Sequence, residues 1–232
     1  MEFAAEGPKA IPLWVNGHAF LTVTDAFYDV VNPVSGEAVY RVPLCGAAEA
    51  AEAVAAARRA QSGWAAGSAD ARQACLNALA DRLEGYAGHF AKLLRGDTGC
   101  SDEFAQAEVA AAVAALRGDR VGEAGVLAVV VDATRPLAGF AEAAAPALRA
   151  GASVVVKPSP KAPSAAYALC ELSARAEWPA GVLNLMQGDT GALEGLCTAA
   201  IDRILYAGEA TLGAQVGVIA AAAGKPFAML AA

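Results

Sequence analysis

The chain is 232 residues long, carries 17 Lys and Arg against 24 Asp and Glu, and has a formal net charge of −7. That balance excludes a nucleic-acid binder working through bulk charge, because phosphates call for a basic face. With 56% apolar and 18% charged residues, the chain has the means to bury a sizeable core and does not read as disordered.

The 62 alanines explain the apolar bias without a membrane, since Ala is apolar yet accepted on any helix face. The longest late uncharged run, Ala210 to Gly224, falls short of the roughly 18 residues a spanning helix needs. No basic start followed by an apolar stretch opens the sequence, so a cytoplasmic protein is expected. The five cysteines, Cys45, Cys75, Cys100, Cys170 and Cys197, show no paired spacing, and His18 and His89 lie far apart. Neither a disulfide framework nor a metal site is favoured, and the cysteines read as small core residues.

In chain order, residues 11–45 alternate short apolar runs with turn residues. Asn16-Gly17 stands between Leu13-Trp14-Val15 and Ala19 to Val23, the strongest short hairpin signal available. Residues 47–117 switch to helical spacing, with Val54 and Ala57, then Leu76, Leu79 and Leu83. Ser68 before Asp70 reads as an N-cap with an acid matched to the helix dipole. A further helix is expected over Ser101 to Leu116, with Glu103 and Glu108 leaving an apolar stripe through Phe104, Val109 and Val113.

From residue 125 to 232 the rhythm becomes strand, helix, strand, helix. Val126 to Val131 and Ser153 to Val156 are β-branched runs suited to strands buried on both faces of a parallel sheet, and Val182 to Met186 and Arg203 to Tyr206 supply two more. Pro136 to Arg149, Pro163 to Glu177, Thr190 to Ala199 and Thr211 to Ala223 read as crossover helices. The pattern predicts a single α/β domain with a Rossmann-like doubly wound sheet, preceded by a β-hairpin and helices.

An ordered series of short pieces then carries a resemblance. Trp14-Val15-Asn16-Gly17 is followed by Asn32-Pro33-Val34-Ser35-Gly36-Glu37, Leu79 to Glu84, Ala145-Pro146-Ala147-Leu148 and Val154-Val155-Val156-Lys157-Pro158-Ser159. Pro179 to Asn184 and Gly188-Asp189 complete it. The sequence resembles the N-terminal, NAD(P)-binding portion of the aldehyde dehydrogenase superfamily, and the resemblance covers almost the whole chain.

Catalysis in that family is thiol chemistry: a Cys attacks the aldehyde, amides hold the oxyanion, hydride passes to the nicotinamide and a Glu activates water. The family's Pro-Trp-Asn-Phe-Pro loop aligns with Asp132-Ala133-Thr134-Arg135-Pro136, so Thr134 stands at the catalytic Asn position. A hydroxyl is shorter than an amide, and a well-placed oxyanion donor contributes about 3 kcal/mol. Counting from Lys225-Pro226, Leu230 stands at the general-base Glu position. The chain ends at Ala232, before the family's nucleophile, so no catalytic residue is expected. Cys100 precedes a helix start, but Asp102 and Glu103 beside it disfavour a thiolate.

For the cofactor, the resemblance makes Lys157 the lysine that reaches the adenosine ribose, with Ser159 and Gly188 beside it, while Pro160 replaces the family's ribose-binding acid. The phosphate turn reads Gly208-Glu209-Ala210-Thr211-Leu212-Gly213: the glycine frame is kept, but Glu209 sets a carboxylate where an anion would dock at a helix N-terminus. Without a ligand, an acid there simply satisfies the helix dipole. The family's hairpin arm between helix and sheet is missing or shortened, since only Arg117 to Gly125 fill the gap. Three functions follow: a catalytically inactive structural or interaction module; the NAD-binding half of a split dehydrogenase; or a non-catalytic nucleotide-binding module. Expected partners are a second copy of the chain or a complete aldehyde dehydrogenase homologue, with no nucleic acid, membrane or metal.

Overall fold

The computed structural model describes residues 8–24 and 26–230. Strands β1 (Leu13–Val15) and β2 (His18–Phe20) pair antiparallel around Asn16-Gly17, whose φ values of 53° and 79° are those a two-residue hairpin turn requires. A second ribbon pairs β3 (Phe27–Val31) with β4 (Ala38–Pro43) around a small core of Ile11, Val30 and Val42. Residues 11–45 therefore form two separate ribbons, and the strand expected to reach Val23 stops at Phe20.

Four helices follow: α1 (Ala47–Ala66), α2 (Ala69–Gly85), α3 (Ala87–Thr98) and α4 (Asp102–Arg117). Ser68 caps α2 by accepting from the Ala71 N–H, and Ser101 caps α4 by accepting from the Phe104 N–H. The α4 stripe is corrected in two places: Phe104 is exposed, and Glu108 is buried. The second half alternates β5 (Val126–Val131), α5 (Ala138–Arg149), β6 (Ser153–Lys157), α6 (Ser164–Arg175), β7 (Leu183–Leu185), α7 (Thr190–Thr198), β8 (Arg203–Ala207), α8 (Ala210–Ala222) and β9 (Phe227–Met229).

The seven-stranded sheet runs β2-β1-β7-β6-β5-β8-β9. Its β7-β6-β5-β8-β9 portion is parallel, and β1 joins antiparallel through Trp14 and Leu185. Strand β5 shows why both faces are buried: Leu127, Val129 and Val131 enter the core beneath α2 to α6, and Val126, Ala128 and Val130 enter the core beneath α1, α7 and α8. On the first face Trp64 and Trp178 stack with ring centroids 5.6 Å apart. Each indole N–H reaches a backbone carbonyl, Trp64 to Leu148 at 2.9 Å and Trp178 to Cys75 at 3.0 Å. The loop from α4 to β5 lies along α5, where the Gly122 N–H donates to the Pro146 carbonyl at 2.9 Å.

Candidate functional site

The winding of the parallel sheet reverses between β5 and β8, and in such sheets ligands settle beyond the carboxyl ends of the strands at the reversal. A cleft of about 340 Å³ opens there. Its floor is one row of in-register residues, Lys157 of β6, Val130 of β5 and Tyr206 of β8, with Leu193 of α7 and Leu212 and Val216 of α8 as walls. Asp132, Ser159 and Asp189 supply its polar rim.

Lys157 is 6% exposed, and the hydrogen bond of its ammonium goes to the neighbouring Pro158 carbonyl at 3.1 Å. An ammonium carries three donors, so two remain for whatever enters the cleft. Burial pulls Lys157 down to about 8, against a partial upward pull from the Asp189 carboxylate. Ser159 turns its hydroxyl oxygen back to accept from the Lys161 N–H at 3.3 Å. Gly188 lies under Cys45 and Ala192, just ahead of Asp189, whose side chain caps α7 by accepting from the Gly191 N–H at 3.0 Å.

Asp132 joins the cleft without being among the expected site residues. One carboxylate oxygen accepts from the Thr134 N–H at 2.8 Å and from the Thr134 hydroxyl at 2.5 Å. The other accepts from the Tyr206 hydroxyl at 3.0 Å and from the Glu209 N–H at 2.6 Å. Burial raises the Asp132 carboxyl, but these donors outweigh it and hold the group below its ordinary value, so it is ionised at neutral pH. Burial, then the adjoining Asp132 charge, pushes the Tyr206 phenol up. Gly208 has φ +150°, and a Cβ there would fall 2.2 Å from the Asp132 carboxyl carbon. That glycine lets the carboxylate sit against the turn leading into α8.

The remaining site residues divide. Glu209 is the N-cap residue of α8, with an exposed side chain that makes no capping hydrogen bond. Gly213 is a packing position: a Cβ there would meet Met229 Sδ at 2.5 Å and the Tyr206 ring at 2.9 Å. Thr134 is exposed, and its hydroxyl is committed to Asp132. Leu230 packs with the core on the opposite sheet face and lines a second hollow of about 400 Å³ beside Leu127 and Pro146. Lys157 and Ser159 thus share one cleft with Asp132, whereas Thr134 and Leu230 are not brought to it.

The sequence model described as "Aldehyde dehydrogenase family" matches residues 20–118 and 123–231. The chain belongs to this family. The match breaks at the short α4–β5 connection. An N-succinylglutamate 5-semialdehyde dehydrogenase from Caulobacter sp. is 34% identical over 206 residues, covering 79% of this chain and 43% of the relative. A glutarate-semialdehyde dehydrogenase from Pseudomonas putida is 28% identical over 228 residues, covering 88% of this chain and 48% of the relative. The chain spans about half the length of the curated relatives it matches. Among solved structures, the Escherichia coli lactaldehyde dehydrogenase superposes with a TM-score of 0.88 at 25% identity over 96% of this chain and 52% of its own. A P. syringae indole-3-acetaldehyde dehydrogenase in complex with NAD+ gives 0.88 at 26%, over 97% and 51%. The aldehyde dehydrogenase fold read from the sequence is therefore present. No helix of the described residues is long and apolar enough to cross a membrane, and no group of His, Cys, Asp or Glu among them suits a metal.

Proposed function

We propose that this aldehyde dehydrogenase domain is catalytically inactive and serves as a structural or interaction module. The observation that supports this reading most is Asp132. Its ionised carboxylate occupies the approach to the α8 N-terminus, bonded to the Glu209 N–H, where the resemblance would put a dinucleotide's pyrophosphate. An incoming phosphate meets this fixed charge and the nearby Glu209, and like charges about 4 Å apart repel by several kcal/mol at a partly buried site.

The oxyanion donor and the base point the same way. Thr134 turns its hydroxyl inward to Asp132, and Leu230 has no proton to exchange. Incubation with NAD and aliphatic or aromatic aldehydes is expected to yield no NADH, and steady turnover would overturn the reading. Its partner, a second copy or a complete homologue, is sought by light scattering with and without that homologue; a monomer that ignores both removes the interaction role. The cytoplasm is the proposed location.

A second reading, the NAD-binding half of a two-chain dehydrogenase, draws on Lys157, which keeps free donors at the cleft floor. It requires micromolar NAD binding and a partner carrying the nucleophile. Nucleotide binding without catalysis requires the first of these alone.

A further inference from the structure

The Lys157 ammonium is buried and uses one of its three donors. It lines a cleft together with Val130, Leu193, Leu212 and Val216, is 6% exposed, and makes a single hydrogen bond, to the carbonyl of the next residue. It shares that floor with Val130 and, two strands across, with Tyr206. Two strand spacings put the Lys157 and Tyr206 backbones roughly 10 Å apart, with an apolar span between them. A buried primary amine beside apolar side chains and short of hydrogen-bond partners is a setting in which lysines act as nucleophiles toward carbonyls.

We propose that Lys157 captures small uncharged aldehydes as a reversible imine in this cleft. The amine nitrogen bonds to the carbonyl carbon while the carbonyl oxygen takes up a proton, giving a carbinolamine. That hydroxyl then leaves as water as the carbon–nitrogen double bond forms. Starting from the ammonium, two of its three protons end on the departing oxygen and the third stays on the linkage. Nothing is oxidised or reduced, and no co-reactant is needed. The walls set the ligand class: Val130, Leu193, Leu212 and Val216 favour an alkyl or aryl group, and the Asp132 and Asp189 carboxylates at the rim oppose a second carboxylate on the aldehyde. Burial supports the chemistry by lowering Lys157 to about 8, so that an appreciable fraction is free amine at mildly alkaline pH. The Asp132, Asp189 and Lys161 side chains share the cleft and set its local field.

The test is reductive trapping of the protein with benzaldehyde and cyanoborohydride in the absence of nucleotide, followed by peptide mass spectrometry. Its outcome is therefore separate from the question of NAD binding. The chain has four other lysines, Lys9, Lys92, Lys161 and Lys225, as internal references. The proposal expects labelling at Lys157 at least tenfold above the mean of those four at pH 8, with a rate that rises through a midpoint near 8. Succinic semialdehyde should label it several-fold less than benzaldehyde. Leu193→Trp, which fills the cleft and keeps the amine, should abolish labelling at Lys157 while a thermal melt reports the variant folded; Lys92→Arg, on the exposed side of α3 and outside the cleft, should leave it unchanged. Label confined to the other lysines, or unaffected by Leu193→Trp in a folded protein, would overturn the proposal.

Discussion

One buried carboxylate shows how a single residue holds this fold together and sets its response to pH. Asp97, at the end of α3, accepts from the Ser164 N–H and the Ser164 hydroxyl, both at 2.8 Å, and so caps α6 across 67 residues of sequence. Burial pushes its carboxyl up to about 6, although both Ser164 bonds pull the other way. The unfolded chain titrates this group near 3.9, so between about 4 and 6 the native state holds the extra proton. Stability therefore falls as pH rises through that window. Asp97→Asn should gain on the wild type by roughly 2–3 kcal/mol between pH 4 and pH 7. Urea midpoints at the two pH values measure this, and a pH-independent difference between the proteins would refute it. At this scale Lys157 and the glycine frame come from the family resemblance; the structure sets Lys157 in the cleft, Gly208 against Asp132 and Gly213 against Tyr206. Asp132 was not singled out, although an acid closing an all-apolar strand with a threonine two residues on is a turn signature. Its partner Tyr206 lies 74 residues away, which no local pattern carries.

Helices α4 and α5 cap one another. Glu108 of α4 accepts from the Leu137 and Ala138 N–H groups at 3.1 and 3.0 Å, and Arg149 of α5 donates to the Ala115 and Leu116 carbonyls at 2.7 Å each. Two open donors at the start of α5 and two open carbonyls at the end of α4 are thus answered by side chains of the other helix. Glu108→Ala leaves two buried N–H groups without an acceptor and should cost about 2–4 kcal/mol, read from chemical denaturation. A loss below 0.5 kcal/mol would show that the cap is dispensable. The same pair marks the limit of periodicity. Spacing places α4 within a residue of its bounds and β5 on them, but assigns Glu108 to solvent, because a polar residue on a helix is buried only when a distant partner answers it. Strand β9 went unread for a related reason: Phe227-Ala228-Met229 is too short for alternation to register, and it is a strand because β8 offers it an edge.

For the whole molecule, the doubly wound sheet and its preceding helices were legible from the succession of elements, and the family from motifs in order. The relation between cleft and cofactor was not, since it depends on which carboxylate stands before α8. Glu209 drew attention in the sequence; in the fold its side chain is exposed, and Asp132 is the group tied into the turn. The domain has the aldehyde dehydrogenase fold, and on the function proposed above the Asp132 carboxylate at the turn into α8 stands in the way of a dinucleotide's phosphates. Calorimetric titration with NAD tests this most directly. The account predicts no binding by the wild type up to millimolar NAD, and a measurable Kd once Asp132→Ser and Glu209→Ser together clear the α8 N-terminus in a folded protein. Micromolar binding by the wild type would contradict it.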